Sequence, residues 1–236
     1  MEPVIRFRSA VAFAGRFPVL AGVDLDVAPG DVMLLRGANG AGKTSILRAA
    51  AGLLRVVSGE ARVLGSDLAV DQRAVRRKVG LLGHASGLYD DLSVSDNLKF
   101  ALRSSGVSPT RSSYALDTLG LVGRLEVTPV RSLSAGQRRR VALAVLLARD
   151  PDLWLLDEPH AGLDADHRDL LDGLVKSAAS RGKTVVIASH EADRAEPLAG
   201  HIATVAGGVV VEVAPGPARR DAGDAASTAE VERVVA

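Results

Sequence analysis

A chain of 236 residues, 47% hydrophobic and 24% charged, carries enough apolar material for one substantial core and falls short of two full domains. Its 29 basic and 28 acidic residues leave a net charge of +1 without a like-charged block, so no nucleic-acid partner is expected. The lack of cysteine excludes a disulfide framework, a thiolate zinc site and a cysteine nucleophile, and agrees with a reducing compartment.

In chain order, Val4 to Phe13 and Val19 to Val27 read as strands divided by Gly15 and Pro18, and Glu60 to Leu64 can pair with them, so an N-terminal antiparallel β layer is expected. The apolar stretch Ser9 to Gly15 is too short for a signal peptide and is closed by Arg16, which leaves a mature cytosolic N-terminus as the expectation. Val32 to Leu35, Leu153 to Leu156, Thr184 to Ala188 and His201 to Val205 are brief apolar runs, most of them leading through a polar or glycine-rich turn into a helical pattern. That alternation predicts an α/β fold with a mainly parallel sheet covered on both faces. Between about residues 85 and 131 the strand signal disappears, and Ser93 with Asp96 forms a capping-box start before Leu98, Phe100, Ala101 and Leu102. An inserted α-helical subdomain is expected there. The longest apolar run, Val141 to Ala148, is far below the roughly 18 residues a membrane helix needs. Residues 1–214 are assigned to the folded domain, and 215–236, rich in Ala, Pro, Gly and charge without apolar periodicity, to a mobile tail.

The strongest chemical signal is Gly37-Ala38-Asn39-Gly40-Ala41-Gly42-Lys43-Thr44, which fits G-x-x-x-x-G-K-S/T after a strand and before a helix starting near Lys43. Glycines let the backbone curl so that its amide hydrogens converge on phosphate oxygens, Lys43 adds a point charge and the Thr44 hydroxyl can hold magnesium. Ser45 completes the expected phosphate-binding set. A phosphate loop alone does not separate a kinase from a GTPase or a transport ATPase. The run Leu153-Trp154-Leu155-Leu156-Asp157-Glu158-Pro159 ends a buried strand in two adjacent acids. Side chains alternate along a strand, so the two can take distinct roles, Asp157 at the magnesium shell and Glu158 at the attacking water.

With these motifs stands Leu133-Ser134-Ala135-Gly136-Gln137, which resembles the L-S-G-G-Q signature of ATP-binding cassette (ABC) ATPases, Ala135 standing where the family has glycine. Ala161-Gly162-Leu163-Asp164 is similar to the family's D-loop, and Ser189-His190-Glu191 to its switch-histidine segment. The resemblance spans roughly Val4 to Val213 and implies the ABC form of the P-loop NTPase fold, a Mg2+-dependent ATPase on the inner face of a cell membrane, working with separate permease subunits. It also implies two cassettes, identical or paired, packed head to tail, with Ser134, Ala135, Gly136 and Gln137 reaching the ATP of the opposite subunit, Asp164 at the dimer contact and His190 at the γ-phosphate. Ser134 is an apt N-cap for a helix expected over Gln137 to Ala148. The permease is expected on the inserted helices, Phe13 is expected to stack on adenine with Phe17 as a substitute, and Arg138, Arg139 and Arg140 read as solvated-face charges.

The departure from the family pattern lies in Leu82-Gly83-His84-Ala85-Ser86-Gly87-Leu88-Tyr89, where histidine takes the place of a glutamine. The pattern L-G-H-x-x-G-L-Y-x-x-L-S/T resembles the ATP-binding subunit of the cytochrome c biogenesis heme exporter. A cassette of another exporter, of lipid or drug type, is the second reading, and a soluble non-transport ABC ATPase the third. His84 is read as a coupling residue and candidate magnesium ligand, against the alternative of a loop histidine facing water.

Overall fold

The computed structural model describes residues 2–83 and 87–219. The chain opens with β1 (Ile5–Ala14) and β2 (Phe17–Val27), then β3 (Val32–Arg36), α1 (Lys43–Ala50), β4 (Val56–Val63), β5 (Ser66–Asp67), α2 (Gln72–Lys78) and β6 (Val79–Leu82). A helical stretch with α3 (Val94–Ser104), α4 (Ser112–Thr118) and α5 (Ala135–Arg149) follows, before β7 (Leu153–Asp157), α6 (Ala165–Ser180), β8 (Thr184–Ala188), α7 (Ala192–Ala195), β9 (His201–Ala206) and β10 (Val209–Pro215). Two sheets result, a four-stranded antiparallel layer ordered β2-β1-β4-β5 and a six-stranded sheet ordered β10-β9-β3-β8-β7-β6. The larger sheet is parallel except for β10, which returns antiparallel to β9. The expected mainly parallel core, N-terminal antiparallel layer and helical insertion are all present. The sequence pattern ends its strands at Val205, whereas the chain turns at Gly207 and Gly208 and adds β10 at the edge.

Both faces of the larger sheet are covered, which is why β7 and β8 are apolar without alternation and fully buried. Leu34, Trp154, Leu156, Val185 and Ile187 point into a core shared with α3, α4, α5 and α6, while Met33, Leu35, Leu153, Leu155 and Val186 point into a second core with α1 and the antiparallel layer. In β1 the buried positions switch from Ile5 and Phe7 to Ala10 and Ala12. The cause is a bulge at Ser9, whose φ of 46° breaks the register with both neighbouring strands. Gly59 of β4 faces that bulge, and a Cβ there would lie 2.3 Å from the Ser9 carbonyl oxygen.

Ser93 caps α3 as expected, its Oγ accepting from the Asp96 N–H at 3.1 Å and donating to the Asp96 carboxylate at 2.7 Å. The first residues assigned to a tail belong instead to the fold. Pro215 ends β10, and the N–H groups of Gly216 and Ala218 donate to the Gly200 and Ala199 carbonyls at 2.8 and 3.1 Å, because the sheet edge offers acceptors that composition does not reveal. Residues 220–236 lie outside the described ones. No helix among the described residues is long and apolar enough to cross a membrane.

Candidate active site

The sheet brings the ends of β3, β7 and β8 side by side, so the loops that leave them meet at one edge, where open α/β folds place their ligands. The loop after β3 carries Gly37 to Gly42 and runs into α1 at Lys43. Glycine is required at two of its turns. Gly37 has φ 151° and a Cβ there would meet the Val205 carbonyl oxygen at 2.2 Å, and Gly42 has φ 113° with Gly208 and Val19 close by. Lys43 is buried and its ammonium donates to the Gly37 and Ala38 carbonyls at 2.7 and 3.1 Å, which holds the charge over the loop. Asn39, Gly40, Ala41, Gly42, Lys43, Thr44 and Ser45 line a cavity of about 630 Å³ whose opposite wall is Asp157 and Glu158 and whose sides are Pro18, Val19, Gly207 and Gly208. Gly37 and Ala38 lie behind it as acceptors for Lys43.

The two acids diverge because β7 ends at Asp157 and the chain turns at Glu158. Asp157 is buried and both its oxygens accept from the Thr44 hydroxyl, at 3.0 and 2.9 Å. A hydroxyl and a carboxylate held together offer hard oxygen donors, the chemistry that magnesium takes while keeping water and phosphate oxygens as its other ligands, so this pair fits that ion. Glu158 adopts φ 44°, uncommon for a residue with a side chain, and its N–H donates to the Ala188 carbonyl at 2.8 Å. Its carboxylate thereby reaches the segment after β8. One oxygen lies 2.8 Å from His190 Nδ1, and the other accepts from the Ser189 hydroxyl and the His190 N–H, both at 3.3 Å. The hydrogen bond and charge of Glu158 raise the pKa of His190 above its ordinary value.

At the signature, α5 begins at Ala135, earlier than expected, with a capping box in which Ser134 Oγ accepts from the Gln137 N–H and the Gln137 side chain accepts from the Ser134 N–H. Gly136 packs against the D-loop, where a Cβ would stand 2.8 Å from the Gly162 carbonyl oxygen. Asp164 caps α6 by accepting from the His167 N–H at 3.0 Å and pairs with its ring at 2.6 Å, which lowers the carboxyl pKa.

Of the three arginines after the signature, Arg138 keeps to the surface while Arg139 and Arg140 turn onto main-chain carbonyls. Arg139 turns inward and donates to the carbonyls of Gly83, Asp157, Glu158 and Pro159 at 2.8, 2.9, 2.6 and 3.3 Å. Burial lowers its pKa against the opposing pull of Asp157 and Glu158. Arg140 donates to the Leu119 carbonyl at 3.1 Å and Arg138 pairs with Asp90 at 2.8 Å. Sequence reasoning missed the contacts of Arg139 and Arg140 because main-chain carbonyls carry no residue identity to search for.

Phe13 lies opposite Pro18 in the β1–β2 ladder and is half exposed, and neither it nor Phe17 lines the cavity, whose wall there is Pro18 and Val19. His84 lies outside the described residues.

The fold and this edge define a P-loop nucleotide-hydrolysing cassette with a helical insertion between β6 and β7 and an antiparallel layer against α1. The ABC transporter family profile matches residues 20–161. The chain is 37% identical over 208 residues to the cytochrome c biogenesis ATP-binding export protein CcmA 2 of Cupriavidus metallidurans, covering 87% of this chain and 98% of that one. It is 35% identical over 211 residues to the Nod factor export ATP-binding protein I of the same organism, covering 88% of this chain and 70% of that one. A dimeric ATP-binding cassette solved in a post-hydrolysis state with ADP and phosphate shares the fold, with a TM-score of 0.82 at 24% identity over 89% of this chain and 98% of that one. The chain belongs to the ABC transporter family, as an ATP-binding cassette that hydrolyses ATP to drive transport.

Proposed function

We propose that this cassette powers export through separate membrane subunits and that its cargo is heme for cytochrome c biogenesis. The observation that carries the catalytic part is that Thr44, Asp157 and Glu158 line one cavity, Thr44 bonded to Asp157 and Glu158 paired with His190. Gly37, Ala38, Asn39, Gly40, Ala41, Gly42, Lys43, Thr44 and Ser45 bind the phosphates of ATP through main-chain N–H groups and the Lys43 ammonium. Thr44 and Asp157 would hold Mg2+, with His84 a further candidate ligand, and the ion would supply charge neutralisation on the phosphates. Glu158 orients the attacking water and takes its proton, while the His190 ring donates to the γ-phosphate. Adenine rests against the β1–β2 hairpin, with Phe13 as its aromatic and Phe17 as the substitute.

Ser134, Ala135, Gly136 and Gln137 act on the nucleotide of a second cassette, presenting the N-terminus of α5 to the γ-phosphate, and Asp164 lies at the contact between the two. Membrane subunits hold the pair on the inner face of the cell membrane, and His84 relays the state of the ATP site to them. The heme assignment rests on the L-G-H-x-x-G-L-Y pattern and on the name of the relative that the chain matches nearly end to end. The second reading, another exporter, rests on the match to a Nod factor export protein. Deletion of the chain in its own host tests the choice. Loss of spectroscopically detected holo-cytochrome c, restored by the intact chain and not by a Glu158→Gln variant, supports heme export, and unchanged cytochrome c points to another cargo.

A further inference from the structure

His160 stands two residues beyond Glu158, and its side chain is 2% exposed. An apolar residue would fill that space without a polar group to satisfy. Instead Nε2 donates to Asp172 of α6 at 2.7 Å, and Nδ1 is buried without a partner among the described residues. The second oxygen of Asp172 accepts from Arg194 of α7 at 2.8 Å, and Arg194 also donates to Asp169 at 2.8 Å. Arg194 lies four residues beyond His190. A parallel link runs through the same helix, because Arg168 donates to the Leu163 carbonyl at 3.0 Å and pairs with Glu191 at 3.6 Å.

Glu158 and His190 touch each other on one side of their loops, and His160 and Arg194 grip one carboxylate of α6 on the other. Asp172 is partly buried, and a shielded carboxylate between two donors is costly when either donor is lost, so the pair ties both loops to α6. We propose that His160 is a positioning residue that, through Asp172 and Arg194, holds the Glu158 carboxylate in register with His190. The inference rests on the catalytic roles proposed for Glu158 and His190. Neither His160 nor Arg194 lines the nucleotide cavity, so ATP affinity is expected to stay unchanged.

The test is steady-state hydrolysis by the full chain with ATP and Mg2+, beside calorimetric ATP affinity and thermal melting. His160→Leu is expected to lower kcat about tenfold, the scale of a small misplacement of a catalytic group, with KM and affinity retained. His160→Gln, which can still donate to Asp172, is expected to restore most of the rate. Arg194→Met, at the more exposed end of the relay, is expected to give a similar loss, and the double variant about tenfold rather than about a hundredfold, because both act through Asp172. The His190 NMR titration midpoint is expected to fall in His160→Leu. An undiminished kcat in folded His160→Leu, or a multiplicative loss in the double variant, would overturn the proposal. Glu158→Gln is the control. If it too hydrolyses at the wild-type rate, the reading of the site fails, and if it alone is slow, only the relay fails.

Discussion

His190 Nδ1 lies 2.8 Å from Glu158 Oε1, and this pair ties the end of β7 to the segment leaving β8. Because the hydrogen bond and charge of Glu158 favour the imidazolium, the folded pKa of His190 is raised. The contribution of the pair to stability is therefore fully present below the ordinary histidine value of about 6.5 and is lost as pH rises through the raised value. The ring is exposed, so the effect is expected as a titration shift rather than a large stability change. An NMR titration should place the His190 midpoint above that of free histidine, and Glu158→Gln should bring it back. An identical midpoint in the two proteins would remove the pair from the account.

Lys43→Ala is expected to abolish measurable ATP binding. In the proposed site the ammonium held over the Gly37 and Ala38 carbonyls would be the charge nearest the phosphates, and an alanine would leave those carbonyl oxygens facing an anion. Calorimetry with ATP and magnesium reads the outcome, and unchanged affinity would contradict the assignment of the loop.

Glu158→Gln should keep nucleotide affinity while slowing hydrolysis by about 10²-fold to 10⁴-fold, the range for a lost general base. With ATP and magnesium the variant should accumulate as a dimer in sedimentation. A fully active or strictly monomeric variant would count against a shared site.

Ser134→Arg subunits mixed with Lys43→Ala subunits should form one composite site with both defects and one with neither. Hydrolysis by the mixture, when each variant alone is inactive, is the expected result. Inactivity in a mixture shown to contain heterodimers would argue that Ser134 acts only as the cap of α5.

Arg139→Leu removes the donors to four carbonyls, at Gly83, Asp157, Glu158 and Pro159, and leaves them without those partners. A loss of about 2–4 kcal/mol in urea unfolding is expected, in line with hydrogen bonds from a charged, partly buried group. Arg139→Lys should recover only part of it, since an ammonium cannot reproduce the planar fork. A stability equal to wild type would return Arg139 to the surface charges.

The elements whose logic is local are legible in the residues themselves. The spacing from Gly37 to Thr44 states a turn, an anion cradle and a helix start within eight residues, and the uninterrupted apolar run ahead of Asp157 states a strand buried on both faces. The alternation expected to separate Asp157 from Glu158 does not apply, because β7 ends at Asp157 and Glu158 turns away with φ 44°. The parity switch in β1 depends on a bulge whose φ is not written in Ser9 itself, and β10 is a strand only because β9 presents an edge to it.

Tertiary structure alone decided the rest. Arg139 reads as one of three consecutive cations, and only the meeting of α5 with the turn after β7 makes it a clamp on carbonyls. His160, Asp172 and Arg194 lie 12 and 22 residues apart, with no motif joining them, and become one relay because α6 packs behind both loops. The sequence by itself determined the glycine loop leading into Lys43, the acids and the family, because those need particular residues at fixed short spacings. Which cation is buried and which carboxylate is shared depends on long-range packing, where the cost of an unpaired buried group is set by whatever the fold brings beside it.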